Sequence, residues 1–204
     1  MLEVIQKGGP VMIPILGLFF IGTVIIIERL IFFHKIKVDE DKMINRLKEA
    51  LKQNHYQEAL SICETNPSPV TNLMKVGIDN RHLGATSIRD TIVSAANMEV
   101  PRLERFLSSL GTIAHISPLL GLLGTVTGNI NAFGVLGKFG SVGDPALLAS
   151  GISEALITTA AGLIVSIPTI IFYNYLVNKV NHIIIRLENR VNEMVLLLGG
   201  GNAV

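Results

Sequence analysis

Glu154 stands just ahead of the paired hydroxyls of Thr158 and Thr159, at the head of a run that stays uncharged to Asn178. Residues four apart on a helix stack on one face, so this spacing sets a carboxylate one turn from a hydroxyl. A carboxylate at or inside a bilayer boundary is costly, and by default it marks an ion or substrate path. Threonine hydroxyls can orient water or hold a cation but do not titrate near neutral pH. A proton-driven cycle therefore needs a titratable carboxylate: either Glu154 serves, or a partner brings another. Two plainer readings stand beside this one. Glu154 can be an interfacial acid favoured near a helix N-terminus, and membrane-helix hydroxyls can bond back to carbonyls one turn earlier.

Other chemistries find no support. The chain has no phosphate-binding loop of the GxxxxGKS type, no HExxH and no GxSxG, which removes the basis for nucleotide-driven transport and hydrolase chemistry. The expectation is a protein that is not an enzyme and needs no cofactor. His115 has no His, Cys or carboxylate one turn away to complete a metal site. No basic cluster carries interleaved aromatics, so no nucleic-acid partner is expected. Cys63 is the sole cysteine and reads as a reduced core thiol.

The elements that must position these residues follow from the apolar runs. A helix needs about 20 apolar residues to cross the ~30 Å hydrocarbon layer. Three segments meet this: Val11 to Ile27 extended by Leu30 to Phe33, Phe106 to Gly137, and Ala155 to Asn178. The first is too long in its apolar stretch for a signal peptide and has no small-x-small site after it, so it is expected to remain in the mature protein. Lys and Arg mark the cytoplasmic side of a span. Lys7 and Lys138 alone lie on one side, whereas Arg29, Lys35, Lys37, Arg102, Arg105, Lys179, Arg186 and Arg190 lie on the other. The chain thus divides into an outer N-terminal segment with the first span (1–33), a helical cytoplasmic region (34–105), the second span (106–137), an outer loop (138–144), the third span (145–178) and an amphipathic cytoplasmic extension with its tail (179–204).

The fold class is all-α. Asp39 is placed to cap a helix that Asn54 stops; a short helix then runs from His55 to Thr65, and Asn66-Pro67-Ser68-Pro69 breaks the chain. Val70 to His82 and Ser87 to Arg105 read as further helices, the second able to continue through Pro101 into the bilayer. Asp144-Pro145 offers a start for the third span, and Gly199-Gly200-Gly201 a stop for its extension.

Two faces carry the functional reading. On the second span Ser117, Gly121, Gly124, Thr125, Gly128, Asn131 and Ala132 form one narrow stripe of small and polar residues. In lipid, helix association depends on close backbone approach, and small-xxx-small spacing supplies it. On the third span Glu154, Thr158, Thr159, Gly162, Ser166, Thr169 and Tyr173 share a face, with Leu156, Leu163, Ile164, Ile167, Ile170 and Ile171 opposite and Pro168 placed to bend the helix. Such a helix either packs on a neighbour or lines a guarded, largely apolar cavity, and both remain open here.

The stretches PLLGLLGTVTGNINAF (Pro118 to Phe133) and ISEALITTAAGLIVSIPTIIFYNYL (Ile152 to Leu176) resemble the MotA/TolQ/ExbB family of proton-channel proteins, and the ExbB/TolQ branch above all. MotA itself has four spans and a larger cytoplasmic domain, which this sequence does not match. The resemblance implies a multi-pass protein of the bacterial inner membrane with a periplasmic N-terminus and a cytoplasmic C-terminus. It implies a pentamer whose second and third spans line a pore around the single membrane helices of an ExbD- or TolR-like dimer, and those helices carry a membrane aspartate. Thr125 then matches the threonine of the LLGTV motif; Glu154 and Thr159 match the glutamate and threonine of EALxxTxxGL. Ion flow would move the partner and energise TonB- or TolA-like proteins acting on the outer membrane. The Thr158-Thr159 pair looks like sodium-driven flagellar stators, so sodium is the alternative to protons, which remain the default coupling ion. The competing reading is a non-conducting scaffold embedded in lipid, in which the same residues only pack helices.

Overall fold

A computed structural model describes residues 8–36, 40–139 and 145–199. All regular elements among the described residues are α-helices: α1 (Met12–Ile36), α2 (Glu40–Lys52), α3 (Tyr56–Thr65), α4 (Pro69–Asp79), α5 (Ala85–Glu104), α6 (Leu107–Phe139) and α7 (Pro145–Gly199). The caps expected at Asp39 and Asp144, the basic marker Lys7, most of the outer loop and the tail glycines beyond Gly199 lie outside the described residues. Among the described residues, three helices are long and apolar enough to cross a membrane. At 1.5 Å per residue the 55 residues of α7 extend over about 80 Å, far more than a ~30 Å hydrocarbon layer. Part of α7 therefore has to leave the bilayer.

The chain forms two compact units. One comprises the described residues of Met1–Leu30 and Phe106–Leu176, the other those of Ile31–Arg105 and Val177–Val204.

In the first unit many large apolar side chains are turned outward. Leu119, Leu122, Ile130 and Phe133 of α6 are exposed, as are Leu156, Leu163, Ile164, Ile167, Ile170 and Ile171 of α7. Small and hydroxyl-bearing residues are turned inward instead: Ser117, Thr158, Ser166 and Thr169 are all buried. This inversion suits lipid, where apolar side chains gain nothing by leaving the bilayer and contact depends on close backbone approach.

The second unit has an ordinary apolar core. Ile44, Leu47, Ala59, Cys63, Leu73, Ile78, Ile88, Ile92, Leu187 and Met194 are buried. At Gly77 on α4 an added methyl would lie 2.7 Å from Met194 Cε and 2.9 Å from Ile92 Cδ1, so α4, α5 and the end of α7 meet there. Lys48 of α2 pairs with Glu193 of α7.

Helix ends follow local chemistry. Asn54 adopts a left-handed φ of 58°, while the His55 amide donates to Ala50 O at 2.8 Å and the Asn54 amide to Leu51 O at 3.1 Å. This is a Schellman ending with asparagine in the place glycine usually takes. After the break at Asn66-Pro67, Ser68 and Thr71 form a capping box, with Ser68 Oγ accepting from the Thr71 amide at 3.2 Å and Thr71 Oγ1 accepting from the Ser68 amide at 2.7 Å. Helix α4 consequently starts at Pro69, one residue earlier than its apolar pattern suggests.

One expectation is corrected. The approach to the second span is not one continuous helix, because α5 ends at Glu104 and Phe106 takes a φ of 64° before α6 begins. Pro101 lies inside α5 and does not end it. The left-handed turn falls at Phe106, where the Arg29 guanidinium sits 5.7 Å from the ring centroid. Arg29 is itself buried and held bidentately by Glu28, at 2.5 and 2.6 Å.

Candidate functional site

The site is a seam between α6 and α7, built from residues too small to keep two backbones apart. A methyl placed on Gly162 would stand 2.5 Å from Ser117 O and 3.2 Å from Gly121 Cα. On Gly121 it would stand 3.0 Å from both Thr158 O and Thr159 Cα, and on Gly128 it would stand 2.9 Å from Gly151 O. Gly124 abuts the Thr158 side chain directly, with Thr158 Cβ at 2.5 Å from such a methyl. The small stripe of the second span and the hydroxyl face of the third therefore pack on each other within one chain.

That contact divides the hydroxyls into two groups. Ser117 donates to Ile113 O at 2.7 Å, Thr158 to Ala155 O at 2.9 Å, and Thr169 to Val165 O at 2.6 Å, each within its own helix. Their protons are spent on local carbonyls, the satisfaction expected of hydroxyls in apolar helices. Ser166 reaches across the seam to Ala114 O at 2.7 Å.

Thr125 and Thr159 differ. Both are half-buried, and their hydroxyls meet across the seam at 2.6 Å. Each also lies 3.1 Å from Gly121 O, and Thr159 Oγ1 lies 3.2 Å from Ala155 O. Two hydroxyls carry two protons. One donates to the other, which donates to a carbonyl, so the pair keeps unused lone pairs and can reverse its direction by rotating both O–H bonds.

Glu154 is one turn before Thr158 on α7 and half-buried. Its carboxylate lies against Gly9, in the turn that precedes α1, so closely that a methyl there would overlap Oε1 and stand 2.8 Å from Cδ. This contact is not legible in residue order, because a glycine ahead of a span carries no periodic signal. Pro168 is exposed inside α7, and the helix continues through it. Asn131 is exposed, Ala132 is buried against Gly151, and His115 Nδ1 lies 2.7 Å from Gly111 O of its own helix. No cluster of three metal-ligating side chains occurs among the described residues.

The model of the MotA/TolQ/ExbB proton channel family matches residues 65–189, a span that holds Thr125, Glu154 and Thr159. The chain belongs to this family. The similarity reaches beyond that core: a protein named ExbB-like 3 from Synechocystis sp. is 31% identical over 171 residues, covering 83% of this chain and 81% of the relative. The biopolymer transport protein ExbB of Aquifex aeolicus is 40% identical over 108 residues, or 52% of this chain and 71% of the relative. The Tol-Pal system protein TolQ of Haemophilus influenzae is 39% identical over 104 residues, or 51% and 45%. These relatives agree with the ExbB/TolQ branch. Membership together with three apolar helices makes this a multi-pass protein of the inner membrane and a membrane-energising subunit.

Proposed function

We propose that the chain is the channel-forming subunit of a proton-driven inner-membrane motor, assembled as a pentameric ring around a single-span, ExbD- or TolR-like partner. The observation that carries this reading is the Thr125–Thr159 hydroxyl pair at 2.6 Å, half-buried in a seam whose other hydroxyls are mostly committed to local carbonyls. A paired hydroxyl with spare lone pairs can accept a hydrogen bond from a protonated carboxyl and release a proton along the pair. Hydroxyls alone do not titrate near neutral pH, so the cycle uses Glu154, a partner carboxylate, or both in turn. Force from partner movement would pass to TonB- or TolA-like proteins at the outer membrane.

The excess of basic residues in 34–105 and after Asn178 supports a cytoplasmic location for both regions and an N-terminus outside. Thr158 is buried at 1% exposure and donates within α7, which favours a packing role for it and protons over sodium as the coupling ion.

Thr159→Val tests the reading, since it keeps the shape and removes the hydroxyl. No polar atom is stranded, because Thr125 Oγ1 still has Gly121 O. Membrane hydrogen bonds of this kind average about 0.6 kcal/mol, so assembly should be little changed. Ion-dependent function with the partner should nevertheless fall steeply. Normal function would remove Thr159 from the path, and lost assembly would favour the scaffold.

A further inference from the structure

The geometry points to Gly9 as a positioning residue for Glu154: the turn ahead of α1 forms a side-chain-free seat on which the carboxylate rests. This inference rests on the ion-path reading of Glu154 and adds to it a residue from outside the channel helices.

Three constraints meet at Gly9. Its φ is +63°, a conformation that costs L-residues with a Cβ. It precedes Pro10, whose ring restricts the residue before it. Its α-carbon faces the Glu154 side chain, where a methyl would overlap Oε1 and lie 2.8 Å from Cδ and 3.5 Å from Cγ.

The turn itself has little room to retreat. The Met12 amide donates to Gly9 O at 3.2 Å and the Ile13 amide to Pro10 O at 3.3 Å, so the turn is tied to the first turn of α1. Met12 and Ile15 anchor that start, at 6% and 1% exposure, and Gly8 is buried beside it. Of the two partners, the end of the Glu154 side chain is the flexible one. A side chain at position 9 therefore strains the turn and meets the Glu154 carboxylate, the part of the contact most able to move aside. Gly9 thus sets where the Glu154 carboxylate stands relative to the Thr125–Thr159 pair.

Two arms test this on the full-length chain in native membranes. The first needs no ion flow. In a Cys63→Ser background, Gly9→Cys with Glu154→Cys should form a disulfide under mild oxidation, since a Cβ at position 9 stands 3.5 Å from Glu154 Cγ and bridged cysteines need Cβ atoms about 3.5–4.5 Å apart. Gly9→Cys with Leu156→Cys, whose partner is exposed on the opposite face, should not. Absence of a selective cross-link overturns the inference.

The second arm measures proton flux with a pH-sensitive dye in vesicles carrying the chain and its single-span partner. Gly9→Ala should still assemble, at the stability cost of a positive φ, yet lose up to about a hundredfold in flux, the scale of an ångström misplacement. Glu154→Asp retracts the carboxylate by one methylene, so the double variant should recover part of that loss relative to Gly9→Ala alone. A role limited to folding predicts no such rescue. Unchanged flux in Gly9→Ala, with Glu154→Gln impaired, overturns the positioning role. Unchanged flux in Glu154→Gln overturns the ion-path reading and the positioning role with it, while the cross-link still records the contact.

Discussion

Gly162→Ala should loosen the α6–α7 seam. The added Cβ would stand 2.5 Å from Ser117 O, a backbone atom that cannot rotate aside. Carbon–oxygen contacts of this kind settle near 3.3–3.6 Å, so the helices must part by about 0.8–1.1 Å. Overpacking a tight contact costs about 1–3 kcal/mol. The same movement would stretch the Thr125–Thr159 contact, now 2.6 Å, and the Ser166–Ala114 bond, now 2.7 Å, past hydrogen-bonding range. At about 0.6 kcal/mol each for hydrogen bonds between membrane helices, the loss totals about 2–4 kcal/mol. That corresponds to a change of about 30- to 1000-fold in the unfolding equilibrium. Unfolding in mixed detergent micelles, followed by loss of helical circular dichroism as the denaturing detergent fraction rises, would read it. Gly17→Ala and Gly22→Ala are the controls. Nothing lies within 4 Å of a methyl at Gly17, and the nearest atom at Gly22 is Ile113 Cγ2 at 3.6 Å. Both should be neutral or slightly stabilising, because alanine is the better helix former by about 1 kcal/mol. If Gly162→Ala matched these controls, the seam would not be the tight backbone contact described above.

The second unit offers two further tests. Burial pushes the Cys63 thiol up to about 11, with the neighbouring Lys75 partly opposing the rise. At pH 8 its thiolate fraction is then about two orders of magnitude below that of an ordinary cysteine near 8.5, so maleimide labelling should be correspondingly slow until a denaturing detergent is added. Labelling at the unfolded rate would contradict its burial. The Glu193 carboxyl is held below the usual range by its hydrogen bond to Lys48, helped by Arg190 and partly opposed by burial. A depressed carboxyl contributes stability that is present above its unfolded pKa of about 4.3 and is lost as pH falls through the lower folded value. Melting curves between pH 7 and pH 3 should therefore fall more steeply for the wild type than for Glu193→Gln. Parallel curves would mean that the tie between α2 and α7 contributes nothing measurable.

Much of this architecture can be read from residue order because the responsible signals are local. Apolar runs announce helices that cross a bilayer, and the 3.6-residue period sorts Gly121, Gly124 and Gly128 onto one face and Thr158, Gly162 and Ser166 onto another. Periodicity places residues on a face without naming what that face meets. Residue order therefore leaves the glycine stripe and the hydroxyl face open between packing and lining, and the contacts of Gly162 with Ser117 O and of Gly124 with Thr158 are packing ones. Helix ends were legible only in part. Asn54 declared itself as a stop, whereas Thr71 completing a capping box in place of the usual Glu or Gln did not, nor did the left-handed turn at Phe106. Phenylalanine carries no propensity for that conformation, so the break has to come from tertiary context. The Gly9–Glu154 contact was invisible for a similar reason, since it joins residues far apart in the chain.

The seam also explains why one hydroxyl pair stands apart from its neighbours. Close approach of two backbones requires small residues, and hydroxyl residues placed among them are the largest that fit while keeping their polar atom satisfied within the helix. Ser117, Thr158 and Thr169 meet that requirement and are sealed off as a result. Thr125 and Thr159 lie at the edge of the same contact, half-buried, each within reach of Gly121 O and of the other. Glycine packing fixes the distance between α6 and α7, and that distance brings two hydroxyls to 2.6 Å at the rim of an otherwise closed interface. A methyl at Gly162 and the loss of the Thr159 hydroxyl should therefore part company in the laboratory: the first should cost stability and function together, the second function alone.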